Sequence, residues 1–110
     1  MLLDKMTTFN LLYDFYRPLL NEKQREVMEL YYIEDWSLAE IAEHFSITRQ
    51  AVHDRIKRVE KELTIYEAAL KLLEKHEKRK KLVAKVTQQL SDYRHFEEVK
   101  PILDRLLEID

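Results

Sequence analysis

The chain is expected to be all-α: a helix-turn-helix followed by a long C-terminal helical extension. Three observations carry that expectation. None of the 110 residues is glycine and only two are proline, so tight β-hairpins, which favour Asn-Gly and Asp-Gly turns, have little to turn on. Apolar residues recur three and four positions apart, the period of a buried helix face. Capping sequences stand ahead of the apolar runs, Asn21 with Gln24 and Ser37 with Glu40, each able to satisfy the orphan amides of a first helical turn. With 45% apolar and 36% charged residues the composition is globular, and a chain of this length buries roughly 65% of its unfolded surface, enough for a core without staples.

The first helix is predicted from about Thr8 to Tyr16, with Leu11, Leu12, Phe15 and Tyr16 as its apolar face; Pro18 ends it by pushing Arg17 out of the α region. Asn21 caps a second helix carrying Val27, Met28, Leu30 and Tyr31, which closes between Ile33 and Asp35. Ser37 opens a short third helix with Leu38, Ile41, Ala42 and Phe45 as its stripe. After Ser46-Ile47, Thr48 caps a fourth. Its apolar positions Val52, Ile56, Val59, Leu63, Tyr66, Leu70 and Leu73 alternate steps of four and three, a heptad-like seam. Thr64-Ile65-Tyr66-Glu67 is also a capping sequence, so the helix either breaks there or runs on. The seam lapses across the charged stretch from Lys75 to Lys81 and resumes at Leu82, Val83, Val86 and Leu90. Ser91-Asp92 is expected to cap a last segment in which Pro101 starts a final turn with Ile102, Leu103, Leu106 and Leu107. The aromatic residues Tyr13, Phe15, Tyr16, Tyr31, Tyr32 and Trp36 read most simply as core. Two domains follow from this reading: residues 1–63 as the helix-turn-helix and residues 64–110 as the extension.

The formal net charge of -2, from 19 Lys and Arg against 21 Asp and Glu, hides an uneven distribution. Residues 22–47 are net -5 and residues 92–110 net -3, whereas residues 48–61 are net +3 and residues 75–85 net +5. Local field governs what a surface attracts more than the sum does. The second basic stretch, from Lys75 to Lys81, reads first as solvated helix surface.

What is missing narrows the chemistry. Without glycine there is no phosphate-cradling loop, dinucleotide fingerprint or nucleophile elbow. Without cysteine there are no disulfides and no thiolate zinc sites, as suits a reducing cytosol. His44, His53, His76 and His95 lie at no metal-ligand spacing, and the three serines serve as caps and a turn. The reading is therefore non-enzymatic, with no cofactor and no metal. No run approaches the ~18 apolar residues of a membrane span, and residues 1–10 are too polar for a signal peptide. A cytoplasmic location without membrane insertion is expected.

The segment from Ser37 to Arg58 supplies the parts of a helix-turn-helix. Ala42 is the small residue that lets two helices cross closely, Ile47 plugs the turn, Val52 anchors the second helix, and Ser46 stands where a glycine is usual. With Asn21-Glu22-Lys23-Gln24-Arg25-Glu26-Val27 ahead of it, the stretch over residues 20–63 resembles the domain of bacterial sigma factors that reads the -35 promoter element. The whole chain is closer still to the small YlxM-type helix-turn-helix proteins. It shares an aromatic N-terminal run (Asn10 to Tyr16), the Tyr31-Tyr32 pair before Asp35-Trp36-Ser37, and the helix opening Thr48-Arg49-Gln50-Ala51-Val52-His53-Asp54. That resemblance implies a sigma-factor-region-4-like fold and a bacterial DNA-binding regulatory protein. It also implies a link to the signal recognition particle pathway, whose genes commonly neighbour those of the family.

If the fourth helix enters a major groove, Arg49, Gln50, His53 and Lys57 face the bases, with Arg49 matched to guanine and Gln50 to adenine. Ser37, Thr48, Arg55, Arg58 and Lys61 are the expected phosphate contacts, which position without specifying sequence. Asp54 is expected to accept a bond from Arg58, four residues on. The later seam, Leu63, Tyr66, Leu70 and Leu73, is the expected self-association surface of a homodimer. The expected partners are double-stranded DNA, a second copy and components of the signal recognition particle. The competing reading is a protein-protein adaptor whose helix-turn-helix has become a docking surface, which the pI near 6.1 keeps open.

Overall fold

A computed structural model describes residues 2–109, and every described element is a helix. In order these are α1 (Leu2–Tyr16), a 3₁₀ turn (Arg17–Leu19), α2 (Glu22–Met28) running into a π-helical turn (Glu29–Ile33), α3 (Leu38–Phe45), α4 (Arg49–Leu70), α5 (Leu72–Gln89) and α6 (Phe96–Leu106). The chain forms two compact units, one up to Leu70 and one from Lys71 on. The expected boundary at residue 63 therefore moves to the end of α4. That helix does not break at Thr64, because the Thr64 hydroxyl donates back to the Glu60 carbonyl at 2.9 Å and caps nothing ahead of it.

In the first unit α1, α2 and α3 all pack on α4. Val52, Ile56, Val59 and Leu63 form the α4 stripe, meeting Leu12, Tyr13, Tyr16, Val27, Met28, Ile41 and Ala42 in one buried core. Tyr13 replaces Leu11 on the inner face of α1: Leu11 stands 38% exposed. Of the aromatic residues read as core, Tyr13, Tyr16 and Tyr32 are buried, whereas Phe15, Tyr31 and Trp36 are only partly covered.

Three corners carry left-handed backbone without glycine: Asp35 (φ 59°), Ser46 (φ 56°) and Lys71 (φ 56°). Such a conformation costs roughly 1–2 kcal/mol for an ordinary residue and less for Asp. At Ser46 the cost is met by a Schellman closure. Ser46 N donates to the Glu43 carbonyl at 3.2 Å and Ile47 N to that of Ala42 at 3.0 Å. This closure holds the turn between α3 and α4. Both expected capping boxes are formed, Asn21 with Gln24 and Ser37 with Glu40.

Tyr13 shows how polar groups tie the first unit together. Its hydroxyl donates to Glu29 Oε1 at 2.9 Å, and burial, then that bond to Glu29, push its pKa up to about 12. A phenol whose folded pKa lies above its unfolded value near 10 contributes stability that is complete below pH 10 and disappears as pH climbs towards 12. Chemical denaturation is expected to show a stability plateau up to about pH 9 and a decline beyond pH 10. Tyr13→Phe should flatten part of that decline, and an unchanged alkaline slope would contradict the assignment.

The second unit is the α5–α6 hairpin. Its last helix differs from expectation. Ser91 Oγ donates to the Gln88 carbonyl at 2.9 Å, so Ser91 closes α5 and does not open α6. Pro101 sits inside α6 instead of starting it. Its missing N–H falls opposite Glu97, and both residues are exposed, so water can take up the carbonyl that an interior proline leaves bare.

Candidate nucleic-acid interface

Two structural devices present the N-terminal half of α4. Thr48 Oγ1 accepts from Ala51 N at 3.0 Å, fixing where the helix begins, and Val52 at 0% exposure pins the helix to the core beneath. Ala42, buried at the crossing of α3 and α4, has no side chain bulk to hold the two helices apart.

The exposed residues of α4 divide into two flanks and an apex, as 100° per residue requires. On one flank Arg49 and His53, with Gln50 beside them, line a shallow hollow against Leu38 at the start of α3. On the other, Arg55 and Arg58 line a cleft of about 200 Å³ with Asn21, Lys23, Gln24, Val27 and Val59. Gln50, Asp54 and Lys61 project outermost, all exposed. Gln24 Nε2 donates to Glu62 Oε2 at 2.8 Å, which ties the cleft's α2 wall to α4. Arg55 lies 6.0 Å from the Phe45 ring centroid, a cation-π contact that orients the guanidinium without neutralising it.

Several expected site residues sit differently from expectation. Lys57 is drawn to a carboxylate within the fold: its Nζ lies 3.3 Å from Glu60 Oε1, and Glu60, only 6% exposed, also accepts from the Tyr32 hydroxyl. Burial, followed by that bond, raises the Tyr32 pKa above the usual tyrosine value. Lys57 thus has a partner within the fold, which Arg49 does not share, although about half of its side chain stays exposed. Asp54 accepts from Gln50 Nε2 at 2.9 Å and lies 3.7 Å from His53 Nδ1, in place of the expected bond from Arg58. Leu63 is fully buried and cannot form a surface contact. Tyr66 is partly covered and packs on the Tyr16 ring at 5.9 Å, Leu70 is 46% exposed, and Leu73 is half-buried.

The caps of α3 and α4 differ in sign. Ser37 Oγ accepts from Glu40 N at 3.1 Å, and Ser37 N donates back to Glu40 Oε1 at 3.0 Å. These bonds, from the Ser37 backbone and then its side chain, hold the Glu40 carboxyl below the usual carboxylate range. The α3 terminus is therefore already occupied by an anion, whereas α4 has no acidic residue in its first turn. A phosphate meets a favourable dipole only at α4, which favours Thr48 over Ser37 as a phosphate contact.

Sequence reasoning missed Lys23 as a lining residue of the cleft and Gln50 as the partner of Asp54. Lys23 joins the cationic cleft only because α2 packs alongside α4, a long-range event with no local signal. Asp54 could have been recognised from its spacing, four residues after Gln50. Among the described residues no group of three His, Cys, Asp or Glu could hold a metal ion, and no helix is long and apolar enough to cross a membrane.

Comparison with known proteins agrees with this geometry. The sequence profile of UPF0122, helix-turn-helix proteins of the YlxM/p13-like type, matches residues 3–102. The chain belongs to this family. A UPF0122 protein of Bacillus mycoides is 49% identical over 110 residues, covering 99% of this chain and 100% of the relative. UPF0122 proteins of Bacillus cereus and Bacillus anthracis are each 48% identical over the same span and coverage. The UPF0122 match thus takes in α1 to α5 and most of α6, and the relatives run the full length of the chain.

Proposed function

We propose that the protein is a DNA-binding regulatory protein that lays the N-terminal half of α4 in the major groove. The observation that carries this reading is the arrangement around that half-helix: a positive dipole with no acidic residue in its first turn, polar side chains at the apex and cations on both flanks. Gln50 at the apex, with Arg49 and His53 beside it, reads base edges; Asp54 either orients Gln50 or accepts from a cytosine amine. Arg55, Arg58, Lys61, Thr48 and Lys23 take phosphates, which positions the helix without specifying sequence.

Selection of bound fragments from random duplex DNA, followed by titration of a selected duplex across salt, tests the proposal. Four to six phosphate contacts per chain should give a log-log slope of roughly -4 to -5. Arg49→Ala is expected to cost about 1–3 kcal/mol on the selected duplex while leaving unselected DNA nearly unaffected. Arg58→Ala should weaken every duplex alike and reduce the slope by about one. Both are surface positions, so folding stability should change by no more than ~0.5 kcal/mol.

One observation favours a second reading. Glu40 and Glu43 are exposed on α3, the helix that crosses the backbone in a docked helix-turn-helix, and they repel phosphate. As an adaptor, the same face would dock a protein, with components of the signal recognition particle the partners implied by family resemblance. Absence of any duplex shift at low salt would decide for the adaptor.

A further inference from the structure

We propose that Lys5 of α1 and Lys57 of α4 form a second phosphate clamp, which holds the DNA strand across the groove from the one held by Lys23, Arg55 and Arg58. The inference rests on the DNA-binding reading of α4 and adds to it a residue from outside the helix-turn-helix. Successive residues stand about 100° apart around a helix, so Lys57 and Arg58 fall on either side of the outermost line through Asp54 and Lys61. A major groove about 12 Å wide admits a helix between its two backbones, which turns one of these cations towards each strand. Arg58 is reinforced by Lys23, which lines the same cleft from α2. Lys57 is reinforced in the same way from α1: Lys5 and Lys57 line one hollow with Tyr32, His53 and Glu60. Leu38 and His53 border both this hollow and the one beside Arg49, so the two follow one another along a single flank of α4.

Charge and size identify the occupant as a phosphate. Both oxygens of the Glu60 carboxylate are engaged, Oε1 with Lys57 at 3.3 Å and Oε2 with the Tyr32 hydroxyl. Lys5 is exposed and makes no ion pair among the described residues, so two ammonium groups face one carboxylate. They lie close enough to interact directly. Contact with Lys57 holds Lys5 below the usual lysine value, and contact with Lys5, then with Glu60, holds Lys57 above it. An anion between the two would favour the charged form of both. An ammonium has three donors, so the bond to Glu60 leaves Lys57 able to hold a phosphate as well, acting as the point charge that suits lysine to this role. The hollow measures about 130 Å³, well below the roughly 300–1,000 Å³ of small-molecule pockets. It has room for one phosphate of a strand running past and none for a larger free ligand.

The test uses the full chain and a selected duplex. Lys57→Met is a poor probe, because it also uncovers Glu60, so the variant is Lys5→Gln. Its affinity should fall on selected and unselected duplexes alike, with the salt slope reduced by about one. The loss should therefore be about threefold greater at roughly 50 mM than at roughly 200 mM salt, with the melting transition unchanged. Strand assignment uses the absence of native cysteine. An iron chelate tethered at Lys5→Cys should cut the duplex most strongly on one strand, and the same chelate at Lys23→Cys on the other. If Lys5→Gln melts early, these cuts alone decide. A wild-type slope in Lys5→Gln beside a reduced slope in Arg58→Ala would overturn the clamp and leave the DNA reading standing. Cuts on the same strand from both positions, or none from position 5, would also overturn it. Absence of any duplex binding by wild type would remove both.

Discussion

Val52→Asp is expected to abolish cooperative folding of the first unit. Val52 has no exposed surface and lies directly beneath the surface that carries Arg49 and His53. A carboxylate there would be buried without a cation or donor, a penalty well beyond the loss of an apolar side chain. Substitutions of that kind belong to the tail beyond about 4–5 kcal/mol, comparable to the whole stability of many small domains. Circular dichroism should show loss of a large part of the helical signal, and duplex binding should fall with it, in contrast to the folded Arg49→Ala. A melting transition unchanged from wild type would contradict the placement of Val52 at the base of α4.

Stripping Glu60 of its partners should have the next largest effect. Tyr32→Phe with Lys57→Met removes the hydroxyl and the ammonium that compensate a buried carboxylate. Breaking a buried pair in this way costs about 3–5 kcal/mol, and the lower end is expected because Lys5 still borders the same hollow. For a unit of this size that is a melting-temperature drop of roughly 12–24 °C. Adding Glu60→Leu should recover most of the loss, since replacing all members of a polar cluster by apolar groups can be nearly neutral. A triple variant no more stable than the double would show that the carboxylate was not the source of the penalty.

The Glu60 cluster also shows which parts of this protein can be read from residues alone. The helices up to Phe45, the turn at Ser46 and the anchor at Val52 were legible because their determinants are local: caps three residues from their partners and apolar residues at helical spacing. Glu60 sits one position beyond Val59 and reads as solvated, since isolated charges are rarely buried. Only Tyr32, 28 residues earlier, makes its burial tolerable. The ion pair that draws Lys57 to Glu60 was hidden for the same reason. The π-helical turn at Glu29–Ile33, the left-handed corner at Lys71 and the interior position of Pro101 likewise have no distinctive local signature. At the candidate interface, the exposure of Arg49, Gln50 and His53 followed from helical periodicity, whereas Lys23 entered the cleft through packing between helices.

The corner at Lys71 has a consequence for the order of events during synthesis. The packing of α1, α2 and α3 on α4 is complete in residues before that corner, and it is wholly helical, although it joins positions as far apart as Tyr16 and Glu67. Folds of this kind form in microseconds to milliseconds. Translation at about 5–20 residues per second needs some 2–8 seconds for the forty residues from Lys71 to Asp110. Once clear of the ribosome, the first unit therefore folds faster than the hairpin can be synthesised. Synthesis order and folding speed together place the hairpin last, so each chain would be born with its first unit finished ahead of its tail.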